Sequence, residues 1–302
     1  MTQPAAMLQV PAARQGPGPV PAAIVDALAL SLARRGGGVL PGDRLAPGVG
    51  SGTELAQLRP YQLGDDVRQL DAAATARTGI AHVRLQVPER ILTTWLVVDL
   101  SASMAFGTAD RLKSDVAEGV AHVVGRTATR HGGRLAVLAA GGSQRTLPPR
   151  GGPHARIGLA RLLAEGVAVD GALDHGLAPV LHKAGRLAHQ PGLVVVVSDF
   201  RGELDWQRPM RALGSRHRLL AVEIRDPREE RLEPVGRLAL VDPESGQLIE
   251  VDTSHAGLRE RYAAAAAQER AGVASELRKA AAHHVVLSTS GDWLRALGRA
   301  LR

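Results

Sequence analysis

Residues 97–104 read VVDLSASM, a hydrophobic run that ends in Asp99 and continues with hydroxyls at Ser101 and Ser103. One carboxylate and two hydroxyls on a short loop offer oxygen donors alone. Such a set suits a hard divalent cation, a nucleophile, or a capped turn before a helix. A second run, LVVVVSDF at 193–200, closes in the same way with Ser198 and Asp199. Taken singly, each of these residues is most simply a turn cap. The D-x-S-x-S spacing after a buried strand is more specific and favours the cation. Mg2+ or Mn2+ is expected, because a hard octahedral ion accepts few protein oxygens and keeps several waters. One open position can then take an acidic residue from a partner.

Competing chemistries fit less well. A phosphatase of the haloacid dehalogenase type has a second aspartate two residues after the first, where this chain has Ser101. A serine hydrolase needs G-x-S-x-G, and neither Ser101 nor Ser198 stands in that frame. There is no Gly-Lys pair and so no phosphate-cradling Walker A loop. The absence of cysteine excludes thiolate catalysis, cysteine-ligated zinc and iron–sulfur clusters.

The elements that must position these oxygens begin near residue 91. ILTTWLVVD, GRLAVLAAG, GLVVVVSD, HRLLAVEI and HHVVLST are continuous apolar strands, and DRLKSDVAEGVAHVVGRTATRH between the first two carries apolar residues at helical spacing. Such alternation predicts an α/β fold, a doubly wound and mostly parallel sheet with helices on both faces. Two hairpins interrupt it. One, near 133–149, turns at Gly141 and Gly142 and predicts an antiparallel edge strand. The other, near 236–252, turns at PESG. In an open sheet of this kind ligands collect at the carboxyl ends of the strands, where the chain order reverses. If the strands ending in Asp99 and Ser198 are neighbours, two carboxylates and several hydroxyls meet in one crevice.

Upstream, residues 1–20 are rich in Pro, Ala, Gly and Gln and predict a flexible tail. Residues 21–90 predict a helix and a small irregular β-containing module, and 91–302 the α/β domain. The apolar helix AAIVDALALSLARR at 22–35 is too short for a bilayer, contains Asp26, and has its arginines after the apolar run, unlike a secretory signal. No integral membrane segment is expected, and the protein is expected in the cytoplasm. Net charge is +7, from 37 basic and 30 acidic residues, and only Lys113, Lys183 and Lys279 are lysines. Acids interleave with the bases in stretches such as RDPREERLEP, and only two Phe, two Tyr and three Trp are available for stacking. Nucleic acid is therefore not an expected partner, while attraction to an acidic partner surface is allowed.

VVDLSASM resembles the metal-ion-dependent adhesion motif of von Willebrand factor A domains. RPYQLGDDVRQLDAAATAR at 59–77 resembles the signature of the domain-of-unknown-function family 58, with further likeness in LVVVVSDF, AVEIRDPREERLEPVG, LALVDPESG and GDWLRAL. The resemblance implies a non-catalytic adaptor that works with a MoxR-type AAA+ ATPase in maturing or activating an unknown client protein. It also implies Asp99, Ser101 and Ser103 as direct ligands of the ion and Asp199 as the acid holding it through water. The family's further ligand, a threonine, aligns with Gly171, and Asp170 beside it is the candidate substitute. A metal-dependent phosphohydrolase and a metal-free interaction scaffold are the alternatives.

In the signature segment, Arg59, Tyr61, Asp65, Asp66, Arg68, Asp71 and Arg77 fit the family pattern, while Ala72 replaces its tryptophan. Their expected role is structural: a turn at Gly64 and Asp65, and Arg–carboxylate pairs that lock the module against the sheet. Phe106 and Phe200, just beyond the two acidic loops, are either core residues or an apolar rim for a partner. His283 and His284 are adjacent on a strand and so face opposite ways. Glu118 and His122 form an ordinary i, i+4 pair.

Overall fold

The computed structural model describes residues 20–34, 54–87, 92–107, 110–130, 132–141, 145–168, 176–241 and 247–301. Almost all of the expected tail, and the loop with Asp170 and Gly171, lie outside the described residues. The chain forms two compact units, the smaller within Asp43–Ile91. Helix α1 (Ala22–Arg34) belongs to the larger unit, which corrects its grouping with the small module. The physical reason is burial: Val25 and Ala29 are buried, and Asp26 accepts a 2.5 Å hydrogen bond from Arg126.

In the smaller unit, β1 (Glu54–Pro60) pairs antiparallel with β2 (His82–Val87), and α2 (Ala72–Thr78) lies between them in sequence. Asp71 caps α2 by accepting from the Ala74 N–H at 2.7 Å, and Gly79 ends it with φ of 72°.

The larger unit continues through β3 (Thr93–Asp99), α3 (Lys113–Ala128), β4 (Arg134–Ala140), β5 (Arg145–Gly151), α4 (Gly152–Ala164), α5 (Leu177–Leu187) and β6 (Leu193–Ser198). It ends with α6 (Gln207–Gly214), β7 (Arg218–Arg225), β8 (Arg237–Val241), β9 (Leu248–Asp252), α7 (Ala256–Lys279), β10 (His283–Ser288) and α8 (Trp293–Ala300). The main sheet has the order β10-β7-β6-β3-β4-β5. All neighbours are parallel except β5, which is antiparallel to β4 at the edge. The hairpin of β8 and β9 forms a separate two-stranded sheet.

Alternation along the buried strands explains why both faces are covered. Leu96 and Val98 of β3, with Val195 and Val197 of β6, pack under α1, α3, α4 and α8. Trp95 and Val97, with Val194 and Val196, pack under α5, α6 and α7. Strand order reverses between β3 and β6. These first two strands of the two half-sheets run side by side, so the crevice at their carboxyl ends is the topological switch point.

Candidate metal centre

The pairing of β3 with β6 brings the two predicted acidic tips together. Asp99, Ser101, Ser103, Ser198 and Asp199 are all buried. Asp99 Oδ1 accepts the Ser101 N–H at 3.0 Å, and its Oδ2 accepts the Ser198 hydroxyl at 2.5 Å. Ser101 and Ser103 share a hydrogen bond between hydroxyls at 3.1 Å, and Ser103 donates to Asp199 Oδ2 at 2.8 Å. Asp99, Ser198 and Asp199 each close a local turn by accepting the N–H two residues on, whereas the Ser101 and Ser103 hydroxyls cap no backbone donor, and together the oxygens of all five line one cavity of about 320 Å³. Trp206 lines the same cavity, and its indole N–H is buried without a partner among the described residues.

Two backbone features hold this loop. Gly141, at the end of β4 with φ of 92°, passes so close beneath the loop that a Cβ there would lie 2.4 Å from the Leu100 carbonyl. Phe200 takes φ of 54°, an uncommon conformation for a residue with a side chain, directly after Asp199.

The sequence reading missed the cation of the crevice. Lys113, wholly buried, donates from Nζ to Asp199 Oδ2 at 2.6 Å and to Glu229 Oε1 at 2.6 Å. It is the first residue of α3, where a positive charge opposes the helix dipole and therefore calls for a carboxylate partner. That placement, and the rarity of lysine in an arginine-rich chain, were the signals available. Glu229 also meets Arg201 at 3.2 Å and Arg270 at 3.7 Å. Beyond it, Glu223 at the end of β7 is held by Arg225 at 2.7 Å, His284 at 2.8 Å and Arg270 at 3.0 Å.

Charge is thus unevenly balanced. Burial raises the Asp199 carboxyl, but Lys113 outweighs it and holds the group below its ordinary value. Asp99 has no cationic partner among the described residues. Burial first, then the negative charge of Asp199, push its carboxyl up to about 6. A buried carboxylate short of positive charge, next to two hydroxyls, is a donor set that fits a hard cation. Among the described residues no three His, Cys, Asp or Glu side chains converge on a metal position. A cation held here would need hydroxyls and water to complete its shell, as Mg2+ and Mn2+ tolerate.

The other predicted residues divide. Phe200 is 1% exposed and packs edge-on against Trp206, with ring centroids 5.2 Å apart. It is core and not rim, because its positive φ turns the chain inward after β6. Phe106 is 40% exposed, with Lys113 Nζ 5.8 Å from its ring centre. In the smaller unit Arg59 grips Asp65 with two bonds of 2.8 Å, Asp66 accepts from the Arg68 N–H, and Asp71 pairs with Arg84 at 2.5 Å. These pairs close turns inside the module. Tyr61 donates its backbone N–H to Ala81, and Arg77 is exposed. His283 reaches the Ala300 carbonyl while His284 reaches Glu223, on opposite faces as expected. Glu118 and His122 approach only to 3.7 Å.

An open α/β sheet with one antiparallel edge and a D-x-S-x-S loop at its switch point is similar to the arrangement of von Willebrand A domains. The chain belongs to the family described as "Protein of unknown function DUF58", whose model matches residues 57–272. An uncharacterized protein of Mycobacterium tuberculosis is 40% identical over 279 residues, covering 92% of this chain and 88% of the relative. A shorter uncharacterized protein of Mycobacterium avium is 36% identical over 153 residues, 51% of this chain and 90% of its own length. Similar solved structures include the conserved hypothetical protein BatB of Bacteroides thetaiotaomicron, with TM-score 0.42, 12% identity, and coverage of 69% of this chain and 96% of that one. The von Willebrand factor type A protein of Catenulispora acidiphila aligns with TM-score 0.41 and 15% identity, over 72% of this chain and 44% of that one.

Proposed function

We propose that the protein is a non-catalytic, metal-assisted binding adaptor that works in the cytoplasm with a MoxR-type AAA+ ATPase to mature or activate a client protein. The observation that carries the reading is Asp99, a buried carboxylate without a cationic partner among the described residues, which lines an accessible cavity together with Ser101 and Ser103. Asp99, Ser101 and Ser103 would hold Mg2+ or Mn2+, and Asp199 would act through water, since its Oδ2 already serves Lys113. The ion, when bound, supplies a Lewis-acidic point for a partner's carboxylate. The chain's own part is to hold the oxygens in place and to supply the walls, with Phe106 at the exposed rim. The ATPase and the adaptor role come from the family resemblance. Among the described residues no helix is long and apolar enough to cross a membrane.

The test is a Mg2+ and Mn2+ titration of the purified protein by calorimetry and thermal melting, with Asp99→Ala in parallel. Ion at a hundred times its dissociation constant should add about 2.7 kcal/mol of stability to the parent. The variant should show no binding and a chelator-insensitive, weakened association with the ATPase. Association that is unchanged in Asp99→Ala would refute the metal-assisted mechanism, and phosphomonoester turnover lost in that variant would replace it with catalysis.

A further inference from the structure

Charge is segregated along this chain. Between residues 126 and 168 there are seven arginines and one acid, Glu165, a surplus of six positive charges against a net seven for the whole protein. Two of these arginines are accounted for, Arg126 by Asp26 and Arg145 by Glu165. Arg150, Arg156 and Arg161 pair with no carboxylate among the described residues, although Arg156 donates to the Thr129 hydroxyl at 3.3 Å.

Two of these, Arg150 and Arg161, line a second cavity of about 320 Å³ between β5 and α4, away from the strand-end crevice. Its apolar wall is Leu147 of β5 and Ile157 of α4, and Arg150, His154 and Arg161 stand around it. Spacing explains the arrangement: His154, Ile157, Gly158 and Arg161 fall at i, i+3, i+4 and i+7 on one helix stripe. Gly158 leaves the groove open where a side chain would fill it, for a Cβ there would sit 3.5 Å from Leu147 Cδ1. Ile157 is 50% exposed, a large apolar surface among positive charges.

We infer that this β5–α4 groove docks an acidic protein segment, seating one large apolar side chain between Leu147 and Ile157 while flanking carboxylates meet Arg150 and Arg161. Two features select that occupant. Charge complementarity requires anionic groups, and the apolar floor requires a hydrocarbon side chain that a phosphate backbone lacks. Although β5 is an edge strand, Pro148 and Pro149 withhold backbone donors along it. A partner therefore cannot simply extend the sheet, and side chains must carry the recognition.

Fluorescence anisotropy tests the inference on the full chain. The probe is a short fluorescein-labelled peptide in which single leucines separate pairs of glutamates; a second peptide has serine for leucine, and labelled single-stranded DNA and phosphatidylserine vesicles serve as rival anions. The leucine peptide should bind at least about tenfold more tightly than the serine peptide, the worth of one buried leucine. Arg150→Glu with Arg161→Glu should weaken it at least about tenfold, and so should Gly158→Leu, which keeps every charge and fills the groove. Asp99→Ala should bind the probe as the parent does, which separates this surface from the proposed metal centre. The inference is overturned if the leucine peptide does not bind, if the serine peptide binds equally well, if either groove variant binds like the parent, or if DNA or vesicles bind more tightly through the same arginines.

Discussion

Replacing Lys113 by Met isolates the electrostatic logic of the crevice. The two side chains have similar length, so the hydrocarbon packing is largely kept while the ammonium is lost. Glu229 retains Arg201 at 3.2 Å and Arg270 at 3.7 Å. Asp199 is left with the Ser103 hydroxyl at 2.8 Å and the Arg201 N–H at 3.2 Å, and with no paired cation among the described residues. The cost therefore falls on Asp199, a buried carboxylate beside Asp99, which already lacks a counter-charge. Removing one partner of a buried ion pair costs about 3–5 kcal/mol, because the other charge stays desolvated. In metal-free buffer the variant should melt on the order of 10 °C below the parent, using roughly 2–4 °C per kcal/mol for a sizeable domain. Adding Asp199→Asn should restore most of that loss, because the stranded charge is then gone. Adding Mg2+ should stabilise Lys113→Met more than the parent, because the ion meets an additional unneutralised carboxylate. A melting temperature within about 2 °C of the parent, or no recovery in the double variant, would refute this account of Lys113 as the crevice's own counter-ion.

Other consequences are open to measurement. Gly141→Ala introduces a Cβ 2.4 Å from the Leu100 carbonyl and at positive φ, so it should destabilise by about 1–3 kcal/mol in urea titration and also weaken Mg2+ binding. Glu223 supplies a pH dependence. Burial pushes its carboxyl up, but hydrogen bonds from His284 and Arg225 and their charges outweigh it, and the group titrates below its usual 4.5; Arg270 faces it from α7. Because the folded value is depressed, its stabilisation is present above 4.5 and is lost as pH falls through the folded value. Glu223→Gln should therefore cost about 3 kcal/mol at neutral pH. The gap to the parent should narrow below pH 4.5, and a constant gap there would refute the ion-pair reading.

Much of the fold was legible because buried parallel strands must be continuously apolar. VVVVS and LVVD announce two such strands, and their polar ends announce where the chain leaves the core. The antiparallel edge followed from a hairpin spacing, and the two acidic tips followed from the switch-point rule. The partners of the site were not legible in the same way. Lys113 lies 86 residues from Asp199 and 116 from Glu229. No local pattern encodes those distances; they result from α3 docking its first turn over the ends of β3 and β6. Phe106 and Phe200 hold matching places after their loops in sequence, yet one is exposed and the other buried, because a single positive φ redirects the chain after Asp199.

By itself, then, the sequence determined the strands, the helices that cover them and the oxygen chemistry at two strand ends, since periodicity and side-chain type are local properties. Tertiary structure alone decided which charges neutralise one another. It left Asp99 without a cation among the described residues, gave Asp199 the ammonium of Lys113, and brought Arg150 of β5 and Arg161 of α4 to one apolar groove. Ion pairing depends on distance in space and on burial, and a linear chain specifies neither until its helices have packed.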